Sequence, residues 1–172
     1  MDQIAYFTER QRFKQWWIWL ILLGMNSLFI FGSFQQLMLG KQFGDKPMSN
    51  NGLLLMTFLT ILLCILFYCI RLETQIKKDG IYVRFFPFQR KFKYYSWSMI
   101  KNCYVRKYRP LTEYGGWGWR ISISGRGTAL SISGNQGLQL EFLNDKKMLI
   151  GTKRPEELSK ALNMVHHNDF MN

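Results

Sequence analysis

Two long runs of the sequence contain no charged residue, and they limit what this chain can fold into more than any other feature. Residues 15–40 and residues 47–70 hold no Asp, Glu, Lys or Arg. The first run contains Trp16–Leu39, 24 residues, and a helix of that length is about 36 Å long, enough to cross a hydrocarbon core of about 30 Å. The second contains Leu53–Ile70, 18 residues with very few polar side chains. Neither run has the continuous polar stripe of a surface helix, so transmembrane helices are predicted at 16–39 and 53–70.

The segment between the two runs is typical of a turn. Residues 40–52 contain three Gly, one Pro and two Asn, which favour turns over a folded domain. The first run carries five polar residues, namely Asn26, Ser27, Ser33, Gln35 and Gln36. One face of this helix is therefore expected to pack against another helix. Together these features predict a two-helix transmembrane hairpin.

Basic residues on the flanks predict the orientation of this hairpin. Arg10, Arg12 and Lys14 precede the first run, whereas the loop 40–52 has only Lys41 and Lys46. Further basic residues follow the second run. The positive-inside rule then places both termini in the cytoplasm, with residues 1–15 as a cytosolic flank and residues 40–52 as a periplasmic loop. The three cysteines are scattered, which fits a reducing compartment without a disulfide framework.

After residue 70 the hydrophobic period changes to two, which predicts a β-rich cytosolic domain over residues 71–167. Asp79-Gly80 is a two-residue hairpin signal between two alternating segments. Clean alternation of this kind fits an antiparallel sheet with one buried face. The predicted strands lie at 72–76, 81–86, 88–95, 102–108, 119–124, 130–132, 138–142 and 148–151, with a short turn or helical bridge at 96–101.

An amphipathic helix is predicted at the end of the domain. Pro155 suits the first helical position, and the acidic residues that follow it suit the positive end of the helix dipole. Leu158, Ala161, Leu162 and Val165 then form one apolar stripe. We expect this helix to close the open end of a small barrel or sandwich, and residues 168–172 to form a frayed tail.

Several blocks of the sequence resemble bacterial pleckstrin-homology-like (PH-like) domains on small membrane proteins. They are KKDGIYVRFFPFQRKFKYYSWSMIKNCYVRKY, RPLTEYGGWGWR, GNQGLQLEF and KKMLIGTKRPEEL. The order of short strands, bridge and C-terminal helix is similar to the PH-like architecture, and the chain looks like a member of one uncharacterised bacterial family. The resemblance implies a membrane-anchored α+β fold: a two-helix transmembrane hairpin followed by a PH-like antiparallel β-barrel with a C-terminal capping helix. It also implies location in the bacterial inner membrane, and it implies no reaction.

The most unusual stretch is a glycine-rich loop, with Glu113, Tyr114, Gly115, Gly116, Trp117, Gly118 and Trp119 as a candidate recognition loop. Its glycines permit backbone conformations closed to other residues, and Trp is favoured at binding hot spots. Trp117 could be an exposed anchor for a partner, or it could pack over the barrel. The sequence leaves both interpretations open.

A second candidate feature is electrostatic. Residues 71–109 carry 11 basic and two acidic residues, whereas residues 110–172 carry seven basic and six acidic residues. Basic side chains near an anionic membrane surface attract it. The candidate membrane-surface residues are Lys77, Lys78, Arg84, Arg90, Lys91 and Lys93. They could dock on acidic headgroups, or they could be an ordinary positive-inside flank.

The sequence offers little for catalysis. The only histidines, His166 and His167, are adjacent, and no metal-binding or nucleotide-binding motif is present. We therefore expect a protein that is not an enzyme and has no catalytic residue, cofactor or metal. Nucleic acid is disfavoured as a partner, because cross-strand pairing explains the aromatic and basic alternation equally well.

Two functions remain as hypotheses. The first is a non-catalytic, membrane-tethered PH-like interaction or scaffold module, with a protein partner or further copies of itself, embedded in lipid by two spans. The second is a domain that senses a lipid headgroup or a small ligand at the cytoplasmic membrane surface.

Overall fold

A computed structural model describes residues 5–122 and 125–169 of this chain, with side chains as far as Val165. The described residues fall into two compact units. Residues 14–69 form a helical unit, and residues 5–13 together with 70–169 form an α+β unit.

The helical unit consists of two long apolar helices, α1 (Trp16–Met38) and α2 (Asn50–Cys69). Both are long and apolar enough to cross a membrane. The two predicted helices are therefore confirmed as helices, and α2 begins three residues before the predicted start. Most of their large apolar side chains are exposed, which is the surface that a span would present to lipid.

Polar side chains join the two helices, as their pattern predicts. Asn26 is buried and donates from Nδ2 to the carbonyl oxygen of Thr60 at 3.3 Å and to Sγ of Cys64 at 2.9 Å. The hydroxyl groups of Ser33 and Thr57 lie 2.8 Å apart. Hydrogen bonds of this type contribute up to about 1–2 kcal/mol between helices in a bilayer.

The α+β unit contains two separate sheets in the described residues. The first has the order β1-β2-β3-β4 and the second the order β5-β8-β9-β7-β6, with β7 and β9 parallel and all other pairs antiparallel. The strands are β1 (Ala5–Arg12), β2 (Arg71–Lys77), β3 (Gly80–Phe86), β4 (Lys93–Ser96), β5 (Ile100–Lys107), β6 (Gly118–Ile121), β7 (Thr128–Ser131), β8 (Gln136–Phe142) and β9 (Lys147–Gly151). Two helices, α3 (Pro110–Tyr114) and α4 (Pro155–Asp169), complete the unit.

The N-terminal segment is part of the α+β unit, which corrects the prediction that residues 1–15 are a flank and that the domain starts at residue 71. β1 pairs with β2 along its length, with Arg12 opposite Arg71. Its inward side chains are Phe7, Glu9 and Gln11. Two of these three are polar, so no alternation of apolar residues marks this strand in the sequence. Buried Glu9 accepts hydrogen bonds from the Thr152 hydroxyl at 2.6 Å and the Lys153 amide at 2.9 Å.

Two further predictions are corrected. The third predicted strand, 88–95, is shortened to β4, because residues 87–92 form a turn after Pro87. The predicted antiparallel β-barrel is also wrong for the described residues, since a 3₁₀ turn at 97–99 separates β4 and β5, which belong to different sheets, and β7 pairs with β9 in parallel. The two sheets meet through side chains, including Tyr95 and Phe142 with ring centroids 5.2 Å apart. The bridge predicted at 96–101 contains this 3₁₀ turn.

The core of the α+β unit is built from the alternating positions of the strands. Its fully buried side chains include Leu72, Ile76, Ile81, Val83, Phe85, Leu130, Leu138, Leu140 and Ile150. Helix α4 lies against β1, β2, β5 and β8 and buries the predicted stripe of Leu158, Ala161, Leu162 and Val165. The predicted tail starts within α4, and residues 170–172 lie outside the described residues.

Candidate functional site

A single turn of helix organises the region that follows β5. Pro110 occupies its first position, where its missing amide hydrogen is not needed. Gly115 ends it in the left-handed region, with φ of 70°, and its amide donates back to the helix. A glycine is favoured there because it adopts this conformation without steric cost. This turn, α3, places Glu113 and Tyr114 against the outer face of the second sheet.

Glu113 is a buried carboxylate at the centre of an ionic cluster. It is 9% exposed, and its Oε2 lies 2.9 Å from Nη2 of Arg106 and 2.9 Å from Nη1 of Arg126. Its Oε1 accepts a hydrogen bond from the backbone amide of Arg109 at 2.7 Å. One carboxylate thus joins β5, α3 and the segment between β6 and β7.

The ionic cluster keeps Glu113 charged. Burial of the carboxylate opposes ionisation, but hydrogen bonds from Arg106, the Arg109 amide and Arg126 outweigh that effect and lower the pKa of Glu113 to about 2. The pKa of Arg106 is raised, because its pairing with Glu113 outweighs the opposing effect of burial. A carboxylate with such a pKa has no proton to donate at neutral pH.

A small apolar cluster supports α3 from below. Tyr108, Tyr114, Ala129 and Leu149 are all buried together, and the two tyrosine rings meet edge to face with centroids 6.1 Å apart. Burial raises the pKa of both tyrosines. The cluster fixes α3 on the sheet and therefore fixes the carboxylate of Glu113.

A cavity of about 650 Å³ opens beside the ionic cluster. Its volume lies within the range of small-ligand pockets. The lining residues are Lys107, Tyr108, Arg109, Thr112, Glu113, Arg126 and Asn135. Three of them are basic and one is acidic, so we call this pocket the cationic cavity.

The predicted recognition loop is mostly engaged in structure. Tyr114 is buried, and Trp117 is half-buried and donates from Nε1 to the carbonyl oxygen of Gly134 at 2.8 Å. The Trp117 carbonyl accepts a hydrogen bond from Nε of Arg120 at 3.1 Å. Gly116 and Gly118 have positive φ angles of 122° and 115°. These contacts favour the packing interpretation of Trp117.

Trp119 behaves differently, because it lies on an edge strand and is 47% exposed. It stands opposite Leu130 of β7, and Leu130 stands opposite Ile150 of β9. Trp119 therefore continues an apolar row that is buried elsewhere in the sheet. Ile121 lies on the same face of β6 and is 75% exposed. The alternation that predicted a buried face for β6 is thus present, but the face is uncovered at this edge.

Of the six predicted membrane-surface residues, some contact an acidic or aromatic side chain and the others are exposed. Arg84 pairs with Glu73, which also binds Arg10 at 3.2 Å and Arg71 at 3.1 Å. Lys77 lies 4.9 Å from the centroid of the Tyr82 ring, and Lys93 lies 5.4 Å from that of Tyr95. The side chains of Lys78, Arg90 and Lys91 are exposed. These six residues lie on β2, β3, β4 and the adjoining turns, and none of them lines the cationic cavity.

The cationic cavity was missed by the reasoning from sequence. Lys107, Arg109 and Arg126 were counted only as part of the net charge. The run Arg106-Lys107-Tyr108-Arg109 was the one available signal. Arg126 lies 13 positions after Glu113, and only the pairing of β6 with β7 shows that the two residues meet.

Among the side chains that the structure describes, no group of three His, Cys, Asp or Glu is arranged to hold a metal ion. The described residues thus form two long apolar helices and an α+β unit of two sheets, with a cationic cavity beside α3 and the end of β5. Residues 4–168 match a family of unknown function, DUF6141, and the chain belongs to this family. Comparisons with curated proteins and with solved structures found no match.

Proposed function

We propose that this protein is a membrane-anchored, non-catalytic interaction module that docks an extended segment of a partner protein on strand β6. The observation that carries the proposal is that β6 is an edge strand of the second sheet among the described residues and bears two exposed apolar side chains, Trp119 and Ile121. An edge strand presents backbone donors and acceptors that can pair with another chain.

The chemistry of β6 favours an added strand. Pairing through the backbone supplies affinity, and pockets for alternate side chains supply specificity. Trp119 and Ile121 lie on the face that carries Leu130 and Ile150 in the neighbouring strands, whereas Arg120 lies on the opposite face. A partner strand with apolar residues at alternate positions would extend this face and cover both side chains.

The state of Glu113 supports the non-catalytic part of the proposal. Glu113, the only acid that lines the cationic cavity, is engaged by three donors and has a pKa of about 2. General acid–base catalysis needs a group whose pKa lies near the working pH. Glu113 is therefore suited to positioning arginines and unsuited to proton transfer.

Replacing Ile121 by lysine should abolish docking while leaving the fold intact. Ile121 is 75% exposed, so the free energy of unfolding should change by less than about 0.5 kcal/mol. A lysine on an edge strand opposes strand addition. A photoreactive amino acid at Arg120 should form a crosslink in native membranes, and Ile121→Lys should remove that product.

The matched control is Leu143→Lys, because Leu143 is 67% exposed and lies in the turn after β8. It should leave the crosslink unchanged. A product of twice the mass of this chain would identify a second copy as the partner, and any other mass a different protein. A crosslink that survives Ile121→Lys would overturn the proposal.

We also infer that the two apolar helices span the inner membrane of a bacterium, with both termini in the cytoplasm and a PH-like α+β unit on the cytoplasmic side. The basic flanks support this orientation. The pairing of Arg12 with Arg71 supports placing both flanks on the same side, since these residues stand just before α1 and just after α2. The loop between the helices would then face the periplasm.

Thiol labelling tests the orientation with cysteines placed at exposed positions. The native Cys103 is a poor reporter, because burial raises the pKa of its thiol and a thiolate is the reactive form. In a chain whose three cysteines are serine, Lys46→Cys should react with an impermeant maleimide in intact cells. Leu143→Cys should react only after lysis. The reverse pattern would contradict the orientation.

A further inference from the structure

We propose that the cationic cavity is a binding site for a phosphate group, carried either by a small soluble molecule or by a lipid headgroup. The cavity is formed by the end of β5, α3, the segment before β7 and the turn before β8. This proposal does not depend on docking at β6.

The cationic cavity carries an excess of positive charge. Lys107, Arg109 and Arg126 line the cavity with a single acid, Glu113. That carboxylate is already bound by Arg106 and Arg126. The ion pairs of the described residues leave the side chains of Lys107 and Arg109 without an acidic partner. An anion in the cavity would supply the missing counter-charge.

Contacts within the protein hold the walls of the cationic cavity in place. Glu113 holds the Arg126 guanidinium at 2.9 Å, and Arg126 is followed by Gly127, where an added Cβ would lie 1.9 Å from the Lys147 carbonyl oxygen. The Tyr108 amide donates to the Asn135 carbonyl at 2.8 Å and joins two walls of the cavity. A site that is already ordered loses less free energy to conformational restriction when it binds.

The donor set identifies phosphate as the ligand chemistry. A guanidinium offers five donors in a planar fork that matches phosphate oxygens, and an ammonium adds a compact point charge. Among the lining residues, Arg109 and Arg126 carry two such forks, one nitrogen of Arg126 being paired with Glu113, and Lys107 carries the ammonium. Thr112 and Asn135, which also line the cavity, carry neutral donors. Charge-assisted bonds of this kind are the strong ones in protein recognition.

The test measures hydrogen exchange in the full chain, solubilised in a maltoside detergent that contains no phosphate. Inorganic pyrophosphate, at constant ionic strength, should slow exchange in peptides covering residues 106–113 and 125–137 with a saturable concentration dependence. The double variant Lys107→Gln/Arg109→Gln should bind at least about 10-fold more weakly, because it removes two charged donors. It leaves the Arg109 amide and the Glu113 cluster in place.

The matched control is Lys101→Gln/Lys146→Gln, which makes the same change of charge at the opposite end of β5 and in the turn before β9. It should bind pyrophosphate as the unaltered chain does. Equal weakening in both double variants would show that only the net charge attracts the anion, and would overturn the proposal.

The two sources of phosphate are separated in nanodiscs. Phosphatidylcholine discs that also contain phosphatidic acid, which carries a phosphate monoester, should protect the same peptides if a lipid headgroup is the ligand. Protection that requires added pyrophosphate in both kinds of disc identifies a soluble ligand. Absence of protection by either probe would overturn the proposal.

Discussion

Replacing Leu162 by aspartate is expected to unfold the α+β unit or detach α4 from it, the largest effect predicted for any single substitution considered in this chain. Leu162 lies in the buried stripe with which α4 packs on the sheets. The change removes a buried leucine, which costs about 2–5 kcal/mol, and adds a carboxylate that burial penalises by several kcal/mol more. That sum is comparable to the whole stability of an ordinary domain, about 5–15 kcal/mol.

Urea unfolding followed by tryptophan fluorescence measures this effect in the full chain. Trp16, Trp17 and Trp19 lie in α1, and changing them to phenylalanine leaves Trp97, Trp117 and Trp119 as reporters of the α+β unit. Asn163→Asp is the control, since Asn163 is exposed on the same helix and gains the same charge. If Leu162→Asp unfolds at the same urea concentration as this control, α4 does not stabilise the sheets.

The elements that the sequence predicted well are those whose side chains repeat with one period. α1 and α2 are long and apolar throughout, and α4 has a regular stripe, so their limits agree within about three residues. The hairpin of β2 and β3 was found from the Asp79-Gly80 signal between two alternating segments, but the two residues of its turn are Lys78 and Asp79, because Gly80 pairs with Lys77 as the first residue of β3. In each case the period of the apolar residues in the sequence matches the period of the element that they form.

β1 and β4 show where that rule fails. The inward positions of β1 include Glu9 and Gln11. The Glu9 carboxylate accepts hydrogen bonds from Thr152 and Lys153, and Nε2 of Gln11 donates to the Gly151 carbonyl oxygen. These partners lie about 140 positions away in the sequence. The residues around β1 therefore give no indication of them. In the segment before β4, aromatic and basic residues continue the alternation, but they form the turn in which Phe92 contacts Arg84.

The candidate site also depends on a contact between residues that no local pattern connects. The sequence identified the glycine-rich stretch as unusual, and Glu113 within it, but it offered no means to pair Glu113 with Arg126 across β6. The cationic cavity exists because the connection from β6 to β7 returns Arg126 to Glu113 of α3. The pairing of β6 with β7 decides whether Arg126 reaches Glu113, and strand register is specified by packing across the whole sheet.

Replacing Glu113 by glutamine should destabilise the α+β unit by about 2–3 kcal/mol at neutral pH. The variant keeps the size of the side chain and removes the charge that pairs with Arg106 and Arg126. Hydrogen bonds to charged groups contribute about 1.5–3 kcal/mol each, and glutamine can still accept from the Arg109 amide. Glu156→Gln is the control, because Glu156 is exposed in the first turn of α4 and should change stability by less than about 1 kcal/mol.

The dependence on pH distinguishes an electrostatic role from simple packing. The pKa of Glu113 falls from 4.5 to about 2 on folding, so its ionisation stabilises the folded state fully above pH 4.5 and loses that effect as the pH falls toward 2. The difference in unfolding free energy between the unaltered chain and Glu113→Gln should therefore shrink between pH 7 and pH 3, to roughly half. Other carboxylates titrate alike in both chains and cancel from the difference. A difference that stays constant over this range would show that Glu113 stabilises α3 by its shape alone, and Arg126, which lines the cationic cavity, would then not be held by its charge.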